Sequence, residues 1–207
     1  VKRLGKAGLL QGLLATPNRL AEVHEYHELC DFAVACGAEY VLMNPLSRMG
    51  RGTLSQRPLR VADRVMREIM EVTSGFDPAV LDVVHIRFPN SDRPLGGCEA
   101  GTIVYVFCPG EMTVCPYLVF AARTPGAAHR DEEFMVGNIF RDADIATRLD
   151  LYKFHDRYDV GTNTTCGSCD VASQCGKGCP AAVIASGGRI GDLDRDVCPK
   201  VETKIST

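Results

Sequence analysis

The spacing of ten cysteines over 207 residues constrains this chain more than any other feature. Only Cys30 and Cys36 fall in the first 97 residues, while Cys98, Cys108, Cys115, Cys166, Cys169, Cys175, Cys179 and Cys198 crowd the remainder. Four of them form the run Cys166-x2-Cys169-x5-Cys175-x3-Cys179, and Cys198 follows. A C-x2-C turn sets two sulfurs on one side of a loop, and later cysteines close a shell around a thiophilic metal. Gly167, Ser168, Gly176 and Gly178 let the backbone wrap tightly and turn amide N–H groups toward sulfur. Upstream, Cys98 precedes a predicted hairpin that carries Cys108 and Cys115, so thiols from hairpin and loop can share a second site. Seven or eight candidate ligands suit two clusters better than one zinc ion, although zinc satisfies the same C-x2-C spacing. Disulfides are disfavoured, because a chain of this length buries a core without staples. Cys30 and Cys36 lie on a predicted helix face and read as small buried hydrophobes. Cys108 reads equally as a strand residue or a ligand.

Composition narrows the class further. Hydrophobic residues make up 45% and charged residues 24%, the balance of a globular protein rather than a tail, fibre or coiled coil. A net charge of −3 offers no bulk attraction to nucleic acid or to an anionic membrane. No apolar run approaches the roughly 18 residues of a membrane span. The chain begins at Val1 as if inside a helix, which reads as a piece of a longer protein.

The first half alternates strand and helix. Leu9–Ala15 and Tyr40–Met43 are apolar runs that read as buried parallel strands. A helix is predicted over 18–36, closed by Gly37, and another carries Val61, Val65, Ile69 and Val72, closed by Gly75. Ser47–Gly52 reads as a loop, and Val83–Phe88 as a further strand. Beyond about residue 90 the pattern changes. Thr102–Cys108 and Glu111–Cys115 flank Pro109-Gly110 as a hairpin, with Cys108 opposite Glu111. A surface loop over 123–133, a weak helix over 142–152 and a short helix over 180–185 complete the reading. The fold class is therefore α/β followed by a small irregular α+β domain, divided as 1–80 and 81–207.

Other polar groups carry weaker signals. His24 and His27 share a helix face and read as solvated side chains. Arg48 and Arg51 flank Gly50 beyond a strand's C-terminal end, where parallel α/β proteins bind ligands. Asp192, Asp194 and Asp196 alternate without an EF-hand pattern and read as a solvated turn.

The order Cys98, Gly110-x4-Cys115, Cys166-x2-Cys169-x5-Cys175-x3-Cys179, Cys198 resembles the seven-cysteine SPASM motif of radical S-adenosylmethionine (radical SAM) enzymes. The first half resembles the C-terminal part of the partial (β/α) barrel that precedes such a domain, with VLMNPLSRMGRG in the corresponding strand and loop. The resemblance implies two auxiliary [4Fe–4S] clusters: a nearer one on Cys98, Cys115 and Cys179, and a distal one on Cys166, Cys169, Cys175 and Cys198. With three motif cysteines, the nearer cluster either takes Cys108 as its fourth ligand or leaves one iron open. It implies Asn44 and Arg51 on the S-adenosylmethionine or substrate side of the barrel. It also implies a cytoplasmic oxidoreductase acting on a peptide or protein, with a leader-binding domain and an electron donor such as flavodoxin or ferredoxin as partners. S-adenosylmethionine and a third [4Fe–4S] cluster would belong to the full-length protein, because the C-x3-C-x2-C motif that holds that cluster is absent here. After Cys175 and Cys179 the next required position is Ala182. The sulfatase-maturing branch carries an Asp after the hairpin cysteine, where this chain has Pro116, so that activity is disfavoured. The competing expectations are a zinc-binding interaction module without catalysis and an electron-transfer iron–sulfur protein.

Overall fold

Three short apolar runs pair as a parallel sheet in the order β1 (Gly12–Ala15), β2 (Tyr40–Met43), β3 (Asp82–His85). They belong to a computed structural model that describes residues 1–90 and 93–200, with the side chains at 56 and 57 set aside. The fold is mixed α/β and divides into two compact units, Val1–Ser47 with Leu54–Asn90, and Arg48–Thr53 with the described residues beyond Asn90. β3 completes the first sheet, so the first unit continues past residue 80 to Asn90.

In the first unit, α1 (Lys2–Lys6) precedes β1, and α2 (Val23–Ala35) connects β1 to β2. The helix predicted from residue 18 begins at Val23 instead. Asn18 Oδ1 accepts the Leu20 amide at 2.9 Å, an Asx turn that holds the backbone off helical geometry. A capping box then starts the helix, with the Glu22 N–H donating to Glu25 Oε2 at 2.6 Å. After β2 the predicted loop holds through Arg51, and it is followed by α3 (Gly52–Leu59), for which the sequence reading had no element, and by α4 (Asp63–Thr73).

The period of two along the strands sorts their side chains. Leu13, Val41 and Val83 lie in register, as do Ala15, Met43 and His85. Val41 and Met43 bury completely against Tyr26, Cys30 and Ala33 of α2 and Met66 and Ile69 of α4. Leu14, Leu42 and Val84 share the opposite face, where Leu14 is 77% exposed.

His85 closes the helix-covered face. Thr73 Oγ1 donates to the Ile69 carbonyl at 2.7 Å, so His85 Nε2 must donate to Thr73 Oγ1, also at 2.7 Å. Burial holds the His85 pKa below the ordinary histidine value. The unfolded chain therefore takes up this proton first on acidification. His85 contributes its full stability above about pH 6.5 and loses it as pH falls toward the folded-state pKa. Urea midpoints at pH 7.5 and 5.5 should differ more for the native protein than for His85→Gln; an equal loss would exclude His85 as the group responsible.

The second unit is built on an antiparallel sheet, β4 (Tyr105–Val106), β5 (Glu111–Thr113) and β6 (Met135–Asn138). The helices α5 (Pro116–Ala122), α6 (Ile145–Leu151), α7 (Phe154–Arg157), α8 (Thr164–Gly167) and α9 (Pro180–Ala185) surround it. α5 and α9 pack together, and Val114, Leu118, Phe134, Phe154 and Ile184 are fully buried in the shared core. The 123–133 segment is not wholly a surface loop, since it enters a 3₁₀ turn (Asp131–Phe134) that buries Phe134.

The hairpin turn is one residue longer than expected. Phe107, not Cys108, pairs with Glu111, its amide donating to the Glu111 carbonyl at 2.7 Å. Gly110 takes φ +110°, which lets Cys108, Pro109 and Gly110 form a three-residue turn. Cys108 is thus exposed at the turn rather than packed in a strand. Among the described residues, no helix is long and apolar enough to cross a membrane.

Candidate metal centre

The cysteines that cluster in sequence separate into two spatial neighbourhoods in the second unit. Two of the first set stand where a strand or loop turns into a helix. Cys115 is the N-cap of α5 and Cys179 the N-cap of α9, each followed by a proline at the first helical position. Proline has no N–H to lose there and its fixed φ suits the first turn. The Tyr117 and Leu118 amides, free at the start of α5, donate to the Cys115 sulfur. Because α5 packs against α9, their cysteines are brought near each other, and Cys115 feels the charge of Cys179.

Cys98 joins this pair. Burial pushes its thiol up to about 11, and the charges of Cys179 and Cys115 push in the same direction, against the Ala100 amide that donates to it. Burial likewise raises Cys115. Three thiols gathered in a partly desolvated place, with Cys98 and Cys115 held back from ionisation, form a site that a cationic group would relieve. His155 Nε2 lies 3.0 Å from the Cys98 carbonyl, and fixes the backbone on that side.

The second neighbourhood holds Cys166, Cys169, Cys175 and Cys198. Burial raises the Cys198 thiol, and the other three cysteines add to the shift against the Lys200 amide. All four line one small cavity of about 20 Å³ with Leu95, Lys177 and Lys200 among its other walls. That is the space of roughly one water. The Leu95 and Lys177 amides both donate to Cys175 Sγ at 3.4 Å. Lys177 reaches this geometry at φ +67°, a left-handed conformation, and its Nζ donates to the Ala172 carbonyl at 2.8 Å. Lys200 pairs with Asp170 at 2.8 Å, beside Cys169.

A backbone strap links the neighbourhoods. The Gly176 amide donates to the Leu95 carbonyl at 2.7 Å and the Gly178 amide to the Gly96 carbonyl at 3.1 Å. Residues 95–97, just before Cys98, are thereby laid against 176–178, between Cys175 and Cys179. Among the described residues, no group of three or more His, Cys, Asp or Glu side chains is gathered tightly enough to hold a single metal ion as it stands. The thiols are within electrostatic reach of one another but do not converge on one point.

Two supporting residues were not singled out as such by the sequence. Asp194 is 2% exposed rather than solvated, and its Oδ2 accepts the Cys179 amide at 3.1 Å. A Cβ on Gly178, at φ +81°, would stand 2.7 Å from that oxygen. Asn163 caps α8 and touches Cys166. Both line a polar cavity of about 300 Å³. The readable signal was an Asn three positions before a cysteine, a capping distance; Asp194 stands fifteen positions from Cys179 and left none.

The remaining candidates lie elsewhere. Cys30 is fully buried in the first unit's core and Cys36 ends α2. All ten cysteines are free thiols. Asn44 extends the first sheet, its amide donating to the Ala15 carbonyl at 3.0 Å, whereas Arg51 is exposed in the 48–53 segment that belongs to the second unit. Arg48 pairs with Asp196 at 3.4 Å. His24 is exposed, and exposed His27 meets Asp31 at 3.2 Å.

The chain matches no family model, no curated protein and no solved structure. Fold and site together define a mixed α/β protein whose second unit holds a group of three thiols and a group of four.

Proposed function

We infer that the second unit binds two [4Fe–4S] clusters, one on Cys98, Cys115 and Cys179 and one on Cys166, Cys169, Cys175 and Cys198. The observation that carries this reading is the separation of seven cysteines into those two neighbour groups. The donor set fits: thiols alone line up as ligands, and amide N–H groups already point at sulfur, as iron–sulfur sites require. A four-iron cube also spreads its ligands further than one zinc ion, whose Zn–S bonds of about 2.3 Å demand close convergence. The small cavity among the four thiols must widen by rotation of the cysteine side chains to admit it. Bound there, the clusters supply one-electron transfer, with potentials set by charge and hydrogen bonds to sulfur.

In the wider reading, the chain is the auxiliary-cluster portion of a radical SAM/SPASM oxidoreductase that acts on a peptide or protein. The sequential parallel order β1-β2-β3, with α2 and α4 covering one face and Leu14 bare on the other, supports a barrel segment over a doubly wound sheet. The free thiols favour a reducing compartment such as the cytoplasm. Nothing in the chain binds S-adenosylmethionine through a C-x3-C-x2-C motif. Anaerobic reconstitution with iron and sulfide is expected to give a coloured protein with about eight irons and eight sulfides per chain. Four irons or fewer in folded protein would overturn the two-cluster assignment. A colourless protein that retains zinc would replace it with a zinc-binding module.

A further inference from the structure

We propose that Asn163 is a positioning residue that tunes the four-thiol cluster through an N–H···S bond to Cys166; the proposal rests on the cluster reading above. The amide of Asn163 makes three contacts. Its Oδ1 accepts the Cys166 backbone N–H at 2.9 Å, and its Nδ2 donates to the Gly191 carbonyl at 2.9 Å and to Cys166 Sγ at 3.4 Å. The orientation is decided by partners of fixed polarity. Rotating the amide by half a turn would set its oxygen against the Gly191 carbonyl and its NH₂ against the Cys166 N–H. One Nδ2 hydrogen is therefore committed to Gly191, and the other faces sulfur.

The position that offers this carbonyl is reserved for glycine. Gly191 sits at φ +105°, and a Cβ there would stand 2.7 Å from Thr162 Oγ1 and 3.3 Å from the Asp159 carbonyl. Both ends of the Asn163 amide thus meet backbone partners. The donors to Cys175 and Cys198 are backbone amides of Leu95, Lys177 and Lys200, which no substitution short of proline removes. Asn163 supplies its N–H from a side chain, so this chain can adjust the bond by mutation. A hydrogen bond to a ligating thiolate stabilises the more negative, reduced state of a cluster and raises its potential. The same side chain caps α8, which fixes the backbone of Cys166.

The test separates capping from tuning. Asn163→Ser keeps an N-cap oxygen and loses the N–H to sulfur; Asn163→Asp keeps the oxygen and adds negative charge beside the thiolate. In reconstituted protein of undiminished iron and sulfide content, redox titration should show one cluster shifted to more negative potential in Asn163→Ser. The shift should be larger in Asn163→Asp, with the other cluster unmoved. Unmoved potentials in fully loaded variants would reduce Asn163 to a cap and overturn the proposal. If both variants lose iron, reduced native protein labelled with ¹⁵N-asparagine decides. A ¹⁵N hyperfine coupling to the cluster upholds the bond, and its absence refutes it. Native protein that takes up no iron at all overturns the cluster reading itself, a result distinct from loaded protein with unmoved variants.

Discussion

Cys169→Ala, reconstituted under the conditions that load the native chain, is expected to retain about four of about eight irons and lose the spectroscopic signature of one cluster. Cys169 lines the cavity shared with Cys166, Cys175 and Cys198, and its charge is felt by Cys198. With three thiolates left on half-exposed loops and an iron open to water, this cluster lacks the support of packed helices and is the more readily lost. Cys98, Cys115 and Cys179 form a separate neighbourhood anchored on the packed helices α5 and α9, so their cluster should survive. Cys108→Ser provides the contrast. Cys108 is exposed in the hairpin turn, and its removal should leave iron content and both signatures unchanged. Loss of all iron from Cys169→Ala, or of a cluster from Cys108→Ser, would contradict the grouping.

Gly176→Ala should unfold the second unit most readily of all single-methyl changes near the thiols. A Cβ on Gly176 would stand 2.2 Å from the Gly97 nitrogen, 2.3 Å from its Cα and 2.5 Å from the Gly96 carbonyl carbon. All three are backbone atoms that cannot rotate away, so the strap must part. The Gly176–Leu95 and Gly178–Gly96 hydrogen bonds then weaken together. Overpacking and two strained bonds give a cost of about 2–4 kcal/mol, a large share of ordinary domain stability. Gly97→Ala is the control on the same contact. Its Cβ meets only the Gly176 Cα, at 3.8 Å, an ordinary van der Waals distance. Urea unfolding should show a strong loss for Gly176→Ala and little for Gly97→Ala. Equal losses would mean that the strap is not the cause.

The first sheet was largely legible. Tyr40–Met43 emerges with the bounds its apolar run predicts, and the helix around Val65 and Ile69 forms where three- and four-residue spacing places it. Local patterns suffice there because a parallel strand buried on one face must be apolar, and a helix covering it must repeat its apolar stripe. The second unit was harder to read. α5 was missed because Pro116–Ala122 is a short apolar run directly after a strand, where periodicity does not separate helix from sheet. β6 was missed because Met135–Asn138 contains a glycine and an asparagine and exists only by pairing with β5, more than twenty residues away in sequence. The hairpin register turned on a single choice, Gly110 entering the left-handed region one residue further from Phe107 than a two-residue turn allows.

That thiols dominate the second half of this chain, with glycines around them, follows from the order of residues alone. Those are matters of which residues are present and how closely they follow one another. The cysteine order, through its resemblance to a seven-cysteine motif, already implied how the thiols divide; which helix ends and straps carry them emerged with the fold. Cys179 lies four residues from Cys175 yet neighbours Cys98 and Cys115, because it caps α9, and α9 packs on α5. Asp194 became a support for Cys179 through a contact that no spacing along the chain specifies in advance, whereas Asn163 meets Cys166 at a local capping distance. The physical reason is that thiols are placed by the helix ends and backbone straps that carry them, and those are fixed by the burial of Leu118, Phe134 and Ile184 in a core assembled from distant segments.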